Sequence, residues 1–148
     1  MVEKQDTDIY LVGYDGTASA KRAVQFVTNQ AKATGGTVHL VHVLEWSPYS
    51  FLTPDELSER HKRREEELTR AKAIVQPILD ELKSKGVHVT SEVRHGHAGE
   101  LLCEIAEEKK ARQIAIGRTG TTAIAARLMG SLALTLVQAS PVPVTVVP

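Results

Sequence analysis

Glycine recurs at fixed spacings between residues 117 and 131, directly after a short apolar run. Gly117 and Gly120 are separated by two residues, nine residues follow, and Gly130 then stands beside a serine. Because glycine has no Cβ, it accepts a positive φ, and it also lets a ligand approach the backbone closely. The N–H groups at Gly117 and Gly120 could therefore surround a sugar or a phosphate, while glycines that merely form turns would give the same pattern.

Gly130 and Ser131 stand where a helix is predicted to begin. The first N–H groups of a helix have no partner within it, and the helix dipole places partial positive charge there. Such a terminus binds anions, and the Ser131 hydroxyl adds another donor. These two residues therefore predict a phosphate-binding site that needs no lysine.

Asp15 is the acidic residue that would complete such a site. It follows an apolar run that includes Gly13 and Tyr14 at its end. Its carboxylate could accept hydrogen bonds from ribose hydroxyls, or it could bind a Mg²⁺ ion carried by phosphates. Together with the glycine segment, Asp15 favours a nucleotide site.

The rest of the chain alternates between strand and helix patterns. Strands are predicted over residues 9–14, 37–43, 87–94, 113–116 and 142–147. Helices are predicted from Ala20 to the Gly35-Gly36 pair, from Thr53 to Gly86 with a kink at Pro77, from Gly99 to Lys110, and from Ser131 onward. This alternation predicts an α/β fold, a five-stranded parallel sheet with helices on both faces. If strands one and four are neighbours, the order is 3-2-1-4-5 and a ligand crevice lies between their carboxyl ends.

Length and composition exclude several classes of protein. With 148 residues, 42% hydrophobic and 24% charged, the chain is typical of one soluble globular domain, here residues 1–148. Lys plus Arg equals Asp plus Glu, at 18 each, which argues against a general nucleic-acid partner. The single Cys103 suits a reducing, cytoplasmic compartment. No apolar stretch approaches the roughly 20 residues that a membrane span needs, so we expect no membrane insertion.

The glycine spacing resembles the signature of the ATP-binding branch of the universal stress protein family. The likeness extends to the strand and Asp-Gly-Thr turn of residues 12–17, the strand of residues 40–43, His95-Gly96 and the closing segment of residues 141–147. It implies a Rossmann-like fold of the adenine nucleotide alpha hydrolase-like kind. It also implies a homodimer and ATP bound with Mg²⁺ or Mn²⁺ through the phosphates.

The resemblance further implies a role for individual residues. Val43 would contact adenine through its backbone, while Asp15 and Gly117 would contact the ribose. The phosphates would be held by the helix start, and Arg118 could reach them. The predicted nucleotide-contacting set is Gly13, Tyr14, Asp15, Val43, Gly117, Arg118, Gly120, Gly130, Ser131, Leu132 and Ala133.

Two classes of function stay open. In the first, bound ATP is a signal that sets the state of a dimer, which acts in the stress response or docks on a partner such as a solute transporter, as some members of the family do. In the second, the protein is a slow ATPase or nucleotidyl-transfer enzyme. No lysine, arginine finger or histidine base is fixed in the crevice by the sequence, although Asp15 could polarise a water. We therefore assign no catalytic residue.

The predicted fifth strand suggests how two copies would meet. As an edge strand, the segment Val142 to Val147 is rich in valine and carries no lysine or glutamate that would discourage another strand from adding. Pro143 removes one donor, which is tolerable only at an edge. We predict that this segment pairs antiparallel with its copy in a homodimer.

Histidine and cysteine give weaker candidate sites. His39 and His42 fall on opposite faces of the second strand, so they cannot share a metal, and we expect one of them to be packed. His95 and His97 lie in a predicted loop without a third ligand nearby. Cys103 lies on a predicted helix without a histidine or aspartate partner, which is typical of a structural thiol.

Two further segments have open interpretations. Trp46, Tyr49 and Phe51 could form a lid, a contact surface or a cover over the neighbouring helix. The mixed-charge run of residues 58–67 is typical of a solvated helix face. The chain contains neither a P-loop motif nor a G-x-G-x-x-G motif after its first strand, which argues against P-loop and dinucleotide-binding proteins.

Overall fold

Strands and helices alternate along the chain in the computed structural model, which describes residues 7–45, 53–119 and 130–148. The strands are β1 (Ile9–Gly13), β2 (Thr37–Leu44), β3 (His88–His95), β4 (Gln113–Gly117) and β5 (Val144–Val147). The helices are α1 (Ala18–Thr34), α2 (Pro54–Ser84), α3 (Ala98–Glu108) and α4 (Ser131–Ala139). These bounds lie close to the predicted ones.

The five strands form one parallel sheet in the order β3-β2-β1-β4-β5, which confirms the predicted topology. From β1 the chain proceeds toward one edge of the sheet, and from β4 it proceeds toward the other. The two connections therefore separate at the carboxyl ends of β1 and β4, where this kind of sheet leaves a crevice.

Helices cover both faces of the sheet, as predicted. Tyr10 and Val12 of β1 point toward α1 and α2, whereas Leu11 between them points toward α3 and α4. Strands buried on both faces must be apolar at consecutive positions, which explains the continuous apolar runs in the sequence. The predicted inner face of α1 is fully buried and consists of Ala20, Ala23, Val24, Val27 and Ala31.

The long helix α2 begins and continues as the sequence suggests. Thr53 accepts a hydrogen bond from the N–H of Glu56, while a Glu56 carboxylate oxygen accepts one from the N–H of Thr53. This reciprocal capping box satisfies two donors that the helix leaves open. Pro77 does not end the helix, which runs for 31 residues through it.

The weaker sequence candidates turn out to be structural or surface features. Burial and the nearby Glu107 raise the pKa of the Cys103 thiol, which disfavours the reactive thiolate. The mixed-charge run on α2 is solvated, with pairs such as Glu59 and Arg63 one helical turn apart. Trp46, Tyr49 and Phe51 fall outside the described residues. Among the helices that the structure describes, none is long and apolar enough to cross a membrane.

His39 and His42 lie on opposite faces of β2, and both are buried, whereas only one was expected to be packed. The exposed fraction is 3% for His39 and 7% for His42. His39 Nδ1 lies 2.6 Å from Thr90 Oγ1, and its Nε2 lies 3.3 Å from a carboxylate oxygen of Glu92. His42 donates through Nδ1 to the carbonyl of Tyr14 at 2.7 Å. Each ring is buried because the sheet supplies it with a polar partner.

We expect protonation of His39 to destabilise the fold as the pH falls. Burial lowers the pKa of His39, and the positive charges of Lys109 and Arg94 act in the same direction, while Glu92 opposes them. Because an unfolded histidine has a pKa of about 6.5, the unfolded chain binds more protons below that pH, and the free energy of unfolding decreases. Each unit of pKa difference contributes about 1.4 kcal/mol to this loss. Chemical denaturation measured between about pH 7.5 and 5 tests it.

A matched pair of variants isolates the contribution of His39. His39→Gln should flatten part of the pH profile, because glutamine does not titrate and can still hydrogen-bond Thr90. His61→Gln should leave the profile as it is in the wild type, because the side chain of His61 is 77% exposed. An unchanged profile in His39→Gln would show that another group causes the loss of stability.

Candidate functional site

A cleft of about 330 Å³ lies at the carboxyl ends of β1 and β4, where the topology predicts a ligand. Its volume is within the range of roughly 300–1,000 Å³ for small-molecule sites. The predicted residues that line it are Gly13, Tyr14, Asp15, Val43, Gly117, Arg118, Gly130, Ser131, Leu132 and Ala133. Gly120 belongs to the same predicted set but lies outside the described residues. The structure thus brings together segments that are far apart in the chain.

The start of α4 supplies the cleft with backbone donors. Gly130 is the residue before the helix, and no side chain in the described part of the chain caps this terminus. By helix geometry the N–H groups of Ser131, Leu132 and Ala133 have no partner within the helix. All three residues line the cleft, so this terminus has the properties of an anion-binding site.

The start of α1 borders the same cleft but is capped. Thr17 Oγ1 accepts a hydrogen bond from the N–H of Ala20 at 3.2 Å. The same hydroxyl donates to Asp15 Oδ1 at 2.6 Å, and the N–H of Thr17 donates to that oxygen at 3.0 Å. The start of α1 therefore has a side-chain cap, whereas the N-cap residue of α4 is a glycine that provides none.

Asp15 is held in place by this turn. Its Oδ1 accepts both bonds from Thr17, and its Oδ2 makes no hydrogen bond to a described residue. The carboxylate is half-buried at the end of β1. One oxygen therefore fixes the orientation of the group, and the other can accept a hydrogen bond from a ligand hydroxyl or bind a cation.

Tyr14 belongs to the core more than to the cleft. Its side chain is 4% exposed and packs with the residues beneath α1 and α2. Burial and the neighbouring Asp15 and Glu81 raise the pKa of its phenol. The N–H of Tyr14 donates to the carbonyl of Val41, and its carbonyl accepts from His42. Tyr14 thus anchors the turn that carries Asp15.

Gly117 is required for a reason that differs from the sequence prediction. Its φ is not positive, and a Cβ placed on it would lie 2.7 Å from the carbonyl carbon of Ser19 and 2.8 Å from the backbone nitrogen of Ala20. Gly130 also has an ordinary φ of −67°. At Gly117, glycine is needed because the first turn of α1 packs directly against the end of β4.

Arg118 joins the elements on the other side of the cleft through its backbone. Its N–H donates to the carbonyl of Val147 at 2.7 Å, and its carbonyl accepts from the N–H of Gly130 at 2.9 Å. These bonds tie the end of β4 to β5 and to the start of α4. Arg118 also lines the cleft and carries a positive charge.

Several residues that line the cleft are absent from the predicted set, and two of them extend it toward β2 and α3. Glu45 lines it just beyond β2, two residues after Val43. Ala98 lines it at the start of α3, whose preceding residue His97 provides no side-chain cap. The rule that ligands bind at the carboxyl ends of parallel strands could have found Glu45, had it been applied to β2 as well.

Charge is distributed unevenly along the cleft. The carboxylates of Asp15 and Glu45 follow β1 and β2, while Arg118 and the open start of α4 follow β4. One end therefore suits a ligand with hydroxyl or amine donors, and the other suits an anion. A nucleotide combines these two properties in one molecule.

Comparisons with known proteins point to one family. Residues 8–148 match the model of the universal stress protein family. Universal stress protein MJ0531 of Methanocaldococcus jannaschii is 29% identical over 137 residues, covering 90% of this chain and 77% of that protein. Among solved structures, UspA from Lactobacillus plantarum has a TM-score of 0.84 at 20% identity, with 95% of this chain and 97% of that chain covered. A universal stress protein in complex with cAMP has a TM-score of 0.67 at 24% identity, with 95% and 96% covered. Since the family model matches nearly the whole sequence, the chain belongs to the universal stress protein family.

Proposed function

We propose that this universal stress protein binds ATP in the cleft between β1 and β4. The observation that carries the proposal is the uncapped start of α4, which shares the cleft with the fixed carboxylate of Asp15. The phosphates would lie against the N–H groups of Ser131, Leu132 and Ala133. The ribose hydroxyls would donate to Asp15. A related structure that contains cAMP supports an adenine nucleotide as the ligand.

The base would lie toward β2, where the backbone of Val43 lines the cleft. In this orientation Arg118 and the α4 terminus contact the negative end of the ligand, and the carboxylate of Glu45 stays away from it. The opposite orientation would bring the phosphates against Glu45, which like-charge repulsion disfavours.

The metal ion, Mg²⁺ or Mn²⁺, would arrive on the phosphates. Within the described residues no group of three His, Cys, Asp or Glu side chains lies close enough together to hold a metal. Magnesium in nucleotide sites is commonly bound by one or two carboxylates together with the phosphates. The Oδ2 atom of Asp15 would be one such carboxylate ligand of the metal ion.

The nucleotide would act as a signal more than as a substrate. The described lining of the cleft contains neither histidine nor lysine, so neither a histidine base nor a lysine that could neutralise charge stands beside the proposed phosphate position. We propose that bound ATP sets the state of a dimer that acts in the stress response or on a partner such as a solute transporter.

The dimer would form through β5, the edge strand. Pro143 and Val147 direct their carbonyls to β4, where they accept from Ile114 and Arg118. Because backbone direction alternates along a strand, the N–H and C=O groups of Val144 and Val146 lie on the open side. Pro143 therefore lacks a donor on the β4 side, and the outward donors of the strand are intact. On α4, which packs against β5, Leu134 and Val137 are exposed and would add apolar surface to the contact.

Gly130→Val should weaken ATP binding by about tenfold or more, a change of about 1.4 kcal/mol. The backbone of Gly130 is extended, with φ −67° and ψ 162°, so valine fits the local conformation while its side chain occupies the space that a phosphate needs. Isothermal titration calorimetry with ATP and Mg²⁺ measures the change.

Two further variants sharpen this test. Asp15→Asn should also weaken binding, although its amide oxygen can still accept the bonds from Thr17. Gln138→Val adds a valine on the exposed far end of α4 and should leave the affinity unchanged. If Gly130→Val is folded and binds ATP as the wild type does, the phosphates lie elsewhere.

Hydrolysis of bound ATP should be far slower than the median enzyme turnover of about 10 s⁻¹. The reason is that the described residues of the cleft include no histidine base and no lysine. Timed chromatography of the nucleotide extracted from the complex gives the rate directly. Several turnovers per second that disappear in Asp15→Ala would favour the slow-ATPase alternative and would contradict a purely signalling role.

Val146→Pro should shift the protein toward monomer. Proline removes the outward N–H at this position and leaves the bonds from β5 to β4 in place. Thr145→Pro is the control, because it removes a donor to β4 and should lower the stability of the fold. Sedimentation equilibrium and circular dichroism separate the two effects. A wild type that is monomeric at micromolar concentration, or a folded Val146→Pro that stays dimeric, would show that β5 is not the interface.

A further inference from the structure

A second depression lies on the other side of the Asp15 turn, between α1 and α2. Both helices cover the same face of the sheet, but they scarcely approach each other, which leaves a groove of about 720 Å³. Val24 of α1 and Ile78 and Leu82 of α2 are buried side chains that line it. The groove is therefore a gap between two helices with an apolar floor.

The rim of the groove adds exposed apolar surface and positive charge. Ile74 of α2 is a large aliphatic residue, and it is 39% exposed. Lys21 and Lys32 of α1 line the groove and form no ion pair with a described residue, whereas Lys85 is paired with Glu81 at 3.0 Å. An apolar strip bordered by lysines complements an apolar ligand face bordered by carboxylates.

The length of the groove matches a short helix. Lys21 and Lys32 are eleven residues apart on α1, which corresponds to about 16 Å or three helical turns. An amphipathic helix docks in such a groove through apolar side chains spaced three and four residues apart.

The groove and the cleft share a wall. Tyr14 and Asp15 line both of them, and Gly16 lines the groove. Gly16 has φ +81°, and a Cβ there would lie 3.0 Å from Ile74 Cγ2, so the turn packs closely on α2. A ligand that bonds to Asp15 therefore acts on a turn that also contacts the floor and rim of the groove.

We propose that the groove between α1 and α2 binds a short amphipathic helix of a partner protein, one whose apolar face is flanked by aspartate or glutamate. Nucleotide in the cleft changes the affinity for this helix through the turn of residues 14–16. The coupling to nucleotide rests on the proposed function, whereas the binding of the helix in the groove does not.

The probe is a synthetic helical peptide of about 18 residues, with leucine on one face and glutamate on both sides of it. Its control replaces each glutamate with lysine. Fluorescence anisotropy of the labelled peptide with the full chain, without nucleotide, gives the affinity. The glutamate peptide should bind, and the lysine peptide should bind at least about tenfold more weakly.

Variants place the peptide on the protein. Lys21→Glu with Lys32→Glu should weaken binding of the glutamate peptide by about tenfold. The control, Lys72→Glu with Lys83→Glu, makes the same charge change on α2 outside the groove. It is matched to the groove pair because Lys83 lies in the last turn of α2 as Lys32 lies in the last turn of α1. This control pair should bind the peptide as the wild type does. Circular dichroism verifies that both pairs are folded.

Three results would overturn the proposal. In the first two, the peptide fails to bind the wild type, or it loses the same affinity in both variant pairs. In the third result, the groove variants change only the oligomeric state, which would make the groove a contact between two copies of the chain. Addition of ATP and Mg²⁺ then tests the coupling, and a peptide affinity that is unchanged with the cleft saturated would overturn that part alone. If ATP fails to bind while the peptide result holds, the proposed function fails and the docking surface stands.

Discussion

The close packing of the first turn of α1 against Gly117 is the contact on which the cleft depends. It brings the backbone of Ser19 and Ala20 against the end of β4, at a distance that no Cβ would permit. On one side of this contact the chain forms the Asp15–Thr17 turn, and on the other it continues through Arg118 toward α4. The spacing between the carboxylate and the helix start is therefore set by backbone atoms, which cannot change rotamer.

The two helix starts at the cleft illustrate how the same local structure can serve the fold or a ligand. At α1, the Thr17 hydroxyl satisfies a helix donor and also holds Asp15. At α4, glycine stands at the capping position, and no side chain of the described residues caps the helix. Glycine in place of such a capping residue typically costs only about a few tenths of a kcal/mol. The sequence accepts this small loss of stability at α4, which is the kind of local cost that functional sites carry.

Much of the fold could be predicted because the apolar patterns of the single segments are consistent with the order of the strands in the sheet. Continuous apolar runs indicate strands buried on both faces, and the residues at the ends of β1 and β4 place the crevice. The reason for Gly117 could not be predicted, because it lies in a contact between segments distant in the sequence. The burial of both His39 and His42 depends on partners from β3 and from the turn after β1, which a single strand pattern does not reveal. The groove depends on how far apart α1 and α2 lie, and no pattern in either helix specifies that distance.

The central position of β1 has a consequence for the order in which the molecule forms. β1 pairs with β2, its neighbour in sequence, but also with β4, so that Tyr10 lies opposite Gln113. Closing so long a loop is entropically costly, and contacts of this kind form slowly compared with local ones. During synthesis, β1, α1 and β2 can associate well before β4 emerges. We expect the cleft to be assembled late, after most of the chain has been made, so a ligand of the cleft can bind the folded molecule but cannot guide its early folding.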